Sequence, residues 1–124
     1  MIKMKHKLIF EPVFRTETLF YSCKDGKYAL AHAKKKYNCN IKDGVFDGYN
    51  GICVGLICKE TKADAWMIWV SSHPDWKTMS HEASHLVFRI LDSRGVKYSS
   101  GNDETWCYLH EYFEKVFWNV MCRK

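Results

Sequence analysis

Residues 81–85 read His81-Glu82-Ala83-Ser84-His85, a spacing that can do chemistry if the segment is helical. Residues four apart lie one turn apart on the same helix face, so both imidazoles can reach a single metal ion. Glu82 stands beside the pair, where its carboxylate can take a proton from a water activated by that metal. Two histidines and one further ligand leave one position open for water or substrate, which separates a catalytic zinc from a closed structural one. The competing reading is two solvent-facing histidines on an ordinary amphipathic helix.

Helical projection is consistent with the chemical reading. At 3.6 residues per turn His81 and His85 are about 40° apart, and Glu82 lies about 60° beyond His85. Val87, Ile90 and Leu91 spread over the other side, available to a core. One side serves chemistry and the other serves stability.

Eighteen residues separate His85 from Glu104, which closes the run Asn102-Asp103-Glu104. Together with His81-Glu82-x-x-His85, this resembles the gluzincin group of zinc metallopeptidases, at the spacing of the aminopeptidase N-like branch. The Asn-Asp-Glu run is similar to the Asn-Glu of that branch and of thermolysin-like enzymes. Residues 79–113 also resemble small phage and prophage proteins carrying His-Glu-x-x-His, then Gly-x-x-Tyr (here Gly95-Val96-Lys97-Tyr98), then Asn-Asp-Glu. The resemblance covers mainly the last third of the chain. It implies Zn2+ held by His81, His85 and Glu104, Glu82 as the catalytic base, a peptide or protein substrate, and a minimal zincin-like fold. It is specific for a zinc site and says little about the substrate.

The residues themselves leave the third ligand open. The apolar stripe of the last helix runs through Trp106, Leu109, Phe113, Val116, Phe117 and Val120, and Glu104 falls nearly opposite it, with Tyr108, Glu111 and Lys115. A carboxylate in a first turn is also favoured by the helix dipole alone. Glu111, Asp103 and Cys107 are the alternatives. Thermolysin-like enzymes place an aspartate four residues after the glutamate ligand to orient a histidine, whereas this chain has Tyr108 there. Asp92, Glu111 or a backbone carbonyl would have to take that role. Tyr98, Tyr108 and His110 are candidate donors to the oxyanion of an attacked carbonyl, and none has the family's spacing. His73 reads as a non-ligand.

The elements that must position these groups follow from pattern. Strands are expected over 7–14 and 19–23, and a helix over 27–37. Asn50-Gly51 predicts a hairpin between 45–49 and 52–58. A strand over 65–70 precedes a helix that starts at Thr78 or Ser80, runs to about Ser93, and ends on Gly95 as a left-handed cap. The final helix starts at Asn102 or Asp103 and reaches about Met121. The order suits an α+β domain: a small mixed sheet packed on an active-site helix and a C-terminal glutamate helix. The zincin resemblance implies that strand 65–70 lies at the sheet edge and takes extended substrate by strand addition. Its own residues are apolar on both faces, with Trp66, Ile68 and Val70 on one and Met67 and Trp69 on the other. That pattern equally fits a buried central strand.

At 124 residues, 47% apolar and 15% aromatic, residues 1–124 should form one domain with a core of its own. The twenty residues after Glu104 leave no room for the second subdomain of most gluzincins, so a minimal peptidase is expected. Six cysteines without a Cys-x-x-Cys pair argue against a zinc knuckle. The N-terminus does not read as a signal peptide, and no apolar run is long enough to span a membrane. The expectation is a cytoplasmic protein (in the host cytoplasm if phage-encoded) with reduced, mostly buried thiols. The net charge of +5 comes partly from Lys3, Lys5 and Lys7 and from Lys34-Lys35-Lys36. It reads as a solvated surface, and with no nucleic-acid motif beside it nucleic acid is not the expected partner. The rival to a peptidase is a non-catalytic binding protein that keeps the zincin fold and acts by occupying a partner, as a phage factor blocking a host protein would.

Overall fold

The computed structural model describes residues 4–41, 43–46, 48–72 and 75–123. Five strands and three helices form an α+β arrangement: β1 (Lys5–Glu11), β2 (Thr16–Ser22), α1 (Gly26–Ala33), β3 (Tyr37–Asn38), β4 (Gly51–Cys58), β5 (Asp64–Val70), α2 (Trp76–Ser93) and α3 (Asp103–Met121). The sheet order is β1-β2-β5-β4-β3. β2 and β5 run parallel, and the other neighbours are antiparallel.

Period-two alternation divides the core between the two faces of this sheet. Phe20, Cys53, Ile68 and Val70 turn to one face, where α2 and α3 cover them with Leu86, Ile90, Phe113 and Phe117. Leu19, Tyr21, Met67 and Trp69 turn to the other, where Ala29, Leu30 and Ala33 of α1 cover them. Phe20 stacks on Phe117 with ring centroids 4.4 Å apart, fixing α3 over β2. A strand buried on both faces has no polar side to alternate, which is why residues 65–70 read as continuously apolar.

That burial corrects the placement of strand 65–70 at an edge. β5 is central, paired with β2 from Thr18 to Ser22 and with β4 from Gly51 to Ile57. The hairpin expected at Asn50-Gly51 is also absent. The Asn50 carbonyl accepts the Ser71 amide at 2.9 Å, so this dipeptide continues the β4–β5 ladder instead of reversing the chain. Residues Asp43–Phe46 form a 3-10 turn, and Phe46 packs edge-on against Trp69 at 5.4 Å. β4 reverses through residues 59–63, where the Cys58 amide donates to the Ala63 carbonyl at 2.8 Å and Lys62 takes φ 64°.

α2 starts two residues before Thr78, because Asp75 caps it. The Asp75 carboxylate accepts the Lys77 amide at 3.0 Å and the Thr78 amide at 3.4 Å, satisfying orphan donors of the first turn, and also accepts the Thr78 hydroxyl at 2.7 Å. The other end stops as expected. Gly95 takes φ 74°, the Val96 amide reaches back to the Leu91 carbonyl at 2.9 Å, and the Gly95 amide to that of Asp92 at 3.0 Å. This is a Schellman cap. Among the described residues no helix is long and apolar enough to cross a membrane. The six cysteines are free thiols, Cys23 and Cys53 buried but Cys107 and Cys122 exposed, so the burial expected of them holds only in part.

Candidate metal centre and its cleft

His81, Glu82 and His85 sit in the middle of α2, where the Asp75 cap and the Schellman end fix the helix on both sides. The apolar face of α2 (Met79, Ala83, Leu86, Val87, Ile90 and Leu91) is buried, which leaves the two histidines exposed. Their Nε2 atoms converge to 3.1 Å, with the rings nearly perpendicular at 85°. Two nitrogens bound tetrahedrally to zinc at 2.0–2.1 Å stand about 3.3 Å apart. The 3.1 Å separation is that of an imidazole–imidazole hydrogen bond and is also compatible with two nitrogens sharing one ion.

Glu82 is buried, at 7% exposure. That burial raises its carboxyl pKa above the ordinary range, against the opposing pull of His85, His81 and Arg89. What covers it is the start of β4. A Cβ added to Gly51 would stand 2.9 Å from Glu82 Cγ and 2.8 Å from Thr78 Cγ2, closer than carbon atoms approach. Gly51 is thus a close-approach glycine: the strand backbone lies directly against the carboxylate because no side chain intervenes.

A cleft of about 630 Å³ opens over these groups, walled by His81, Glu82, His85 and Arg89 on α2, by Gly51–Gly55 on β4, and by Cys39, Ile41, Val45 and Tyr49 opposite. The β4 side is a free strand edge. β3 pairs only with Ile57 and Cys58, so from Gly51 to Leu56 the outer edge of β4 has no partner among the described residues. Asn50 and Cys58 bond inward to the turn and end of β5. By antiparallel alternation the main-chain groups of Gly51, Cys53 and Gly55 then point outward. Cys53 lies in the cleft floor, and its burial pushes the thiol up to about 12, so it stays protonated and inert.

Glu104 is not brought to the histidine pair. Among the described residues no third histidine, cysteine or carboxylate joins His81 and His85. The reason is register. α3 runs antiparallel to α2, with Trp76 against Trp118 at 5.3 Å, Ser84 against His110 at 3.0 Å and Phe88 against Trp106 at 4.6 Å. Glu104 is then level with Ile90, roughly 10 Å along the axis from the midpoint of the pair, and it is exposed. Glu111 has the matching level but faces solvent. Asp103 and Cys107 lie on the same early turns as Glu104.

The surrounding shell also departs from expectation. Among the described residues the carboxylate that meets a histidine is Glu114, 3.0 Å from His110 Nδ1, and neither Asp92 nor Glu111 does so. His110 Nε2 lies 3.0 Å from the Ser84 hydroxyl, completing a Ser–His–Glu chain. Ser84 also donates to the Ser80 carbonyl at 3.0 Å and sits mid-helix, where backbone amides are consumed and cannot stabilise an oxyanion. This chain ties α2 to α3. Of the oxyanion candidates, Tyr98 packs on Trp106 at 5.4 Å, Tyr108 lies near Tyr112 at 6.2 Å, and none of the three lines the cleft. Tyr49, Gly51 and Arg89, none of which read as a site residue in the sequence, do line it. His73 lies outside the described residues.

No family model, curated protein or solved structure matches the chain. The site must be read from its own geometry.

Proposed function

We propose that this chain is a zinc-dependent hydrolase of gluzincin type that cleaves peptides bound in extended form along β4. The observation that carries the reading is the convergence of His81 and His85 Nε2 to 3.1 Å, next to a buried carboxylate under an open strand edge. His81 and His85 would hold the zinc, which when bound would supply Lewis-acid polarisation of a carbonyl and acidification of water. Glu82 accepts the proton of the attacking water and returns it to the leaving amine, a task suited to a carboxyl whose pKa burial has raised. The outward main-chain groups of Gly51, Cys53 and Gly55 hydrogen-bond the substrate backbone. Glu104 is the acid that the resemblance nominates as third ligand, and it would complete the set only if the first turns of α3 shift toward His85.

The separation of Glu104 from the pair is the observation that favours the second reading, a binding protein that uses the same cleft without turnover. One variant divides the two. Glu82→Gln keeps shape and metal but cannot accept a proton, so hydrolysis of a peptide library should fall by about 10²–10⁴-fold, with zinc content by elemental analysis unchanged. Undiminished biological activity in that variant would select the binding protein.

A further inference from the structure

We propose that Arg89 is the specificity determinant of the cleft and that it selects peptides carrying an acidic side chain two or three residues from the bond over the histidine pair. The inference rests on the proposed cleft as a peptide site and names the class of peptide it takes. Arg89 is one turn beyond His85 on the face of α2 that walls the cleft. Among the described residues it is the one permanently charged cation in that wall, and it has no carboxylate partner within salt-bridge distance. Its charge reaches the floor of the cleft, where it favours the ionised form of the Cys53 thiol. Glu82, the acid among the described lining residues, lies seven residues back, roughly 10 Å along the helix, where it feels the charge of Arg89 without pairing with it. An unpaired guanidinium in a partly apolar groove is a bidentate carboxylate receptor.

The spacing sets the position. α2 and β4 run in the same direction: Gly51 lies against Thr78 and Glu82, and Gly55 shares a second depression with Ser93. A peptide laid along the β4 edge from Gly51 to Gly55 therefore passes the histidines first and Arg89 after. From the midpoint of the pair to Arg89 is about 9 Å of helix, or about three residues of extended chain at 3.3 Å each. Side-chain reach shortens that to two or three. The net charge of +5 draws the same class of ligand.

Two measurements test this. Acetylated decapeptides with Glu at alternate positions, and their Gln counterparts, are titrated against zinc-loaded Glu82→Gln protein by fluorescence anisotropy. The acidic set should bind about tenfold more tightly or better, Arg89→Glu should reverse the preference, and Arg89→Lys should keep part of it. Lys35→Glu, outside the cleft, should leave it intact. In parallel, wild-type digestion of a random library should enrich Asp and Glu at one position two or three residues from the cut. Equal binding of both peptide sets, or a preference abolished by Lys35→Glu and untouched by Arg89→Glu, overturns the proposal. Arg89-dependent binding without any cleavage supports it and instead removes the hydrolase reading.

Discussion

Glu82 and Gly51 are best understood as a pair. In the role proposed for Glu82, a carboxylate that takes up and releases a proton would benefit from partial removal from water, yet burying it under a side chain would also seal it from substrate. Glycine resolves this: it brings the β4 backbone against Glu82 while leaving the outer strand edge open. Gly51→Ala should push Glu82 Cγ and Thr78 Cγ2 away from contacts that a methyl cannot share at 2.8–2.9 Å. Misplacement of a catalytic group by about 1 Å can cost on the order of 10² in rate. The expected outcome is therefore a kcat reduced to that order, with zinc content unchanged, because both histidines project elsewhere from α2. A Gly51→Ala enzyme with full kcat would mean that the position of Glu82 is immaterial. The sequence did not announce this glycine, since Asn50-Gly51 carries the composition of a turn and local composition cannot register a contact with residue 82.

At the scale of elements, helix identity and three of the six helix ends were legible, whereas α2 starts earlier on Asp75 and α1 covers Gly26–Ala33, stopping short of 37. Gly95 as the left-handed end of α2 and the start of α3 at Asp103 follow from neighbouring residues alone. Strand neighbours were not legible. Residues 65–70 are apolar on both faces, which fits an edge under a helix as well as a central strand, and only the parallel partner β2, more than forty residues earlier in the chain, decides it. The free edge over the histidines thus belongs to β4. This changes where strand addition should occur, and Gly55 offers a clean probe. Its amide points outward by alternation, it takes no positive φ, and an added Cβ would meet only Trp66 at 3.5 Å. Proline there removes an outward donor without breaking the β4–β5 ladder. Gly55→Pro should raise KM for extended peptides several-fold while kcat, zinc content and thermal midpoint change little. A KM that does not move would exclude backbone pairing along this edge.

At the scale of the whole molecule, the proposed metal site would couple to the packing of α2 against α3. One side of α2 presents the two histidines, while the other side and α3 share a core through Leu86, Ile90, Leu109, Phe113 and Phe117. Glu104, level with Ile90, was legible as a candidate from its spacing, but its distance from the pair depends on the α2–α3 register, which Trp76–Trp118 and Phe88–Trp106 set and which no linear spacing encodes. Metal binding supplies a way to read that register. A ligand that binds only the folded chain stabilises it by about 2.7 kcal/mol at a hundredfold excess over its dissociation constant, roughly 10 °C of thermal midpoint for a chain near this length. Zinc should raise the midpoint of the wild type and of Glu82→Gln by that order, and His81→Ala with His85→Ala should abolish the rise. Drawing Glu104 inward costs part of the α3 packing, so Glu104→Ala should reduce the zinc-induced rise while leaving the metal-free midpoint nearly unchanged, and Glu111→Ala should affect neither. If Glu111→Ala reduces the rise and Glu104→Ala does not, α3 supplies its ligand from the turn already level with the histidines, and the eighteen-residue spacing is coincidental in this chain.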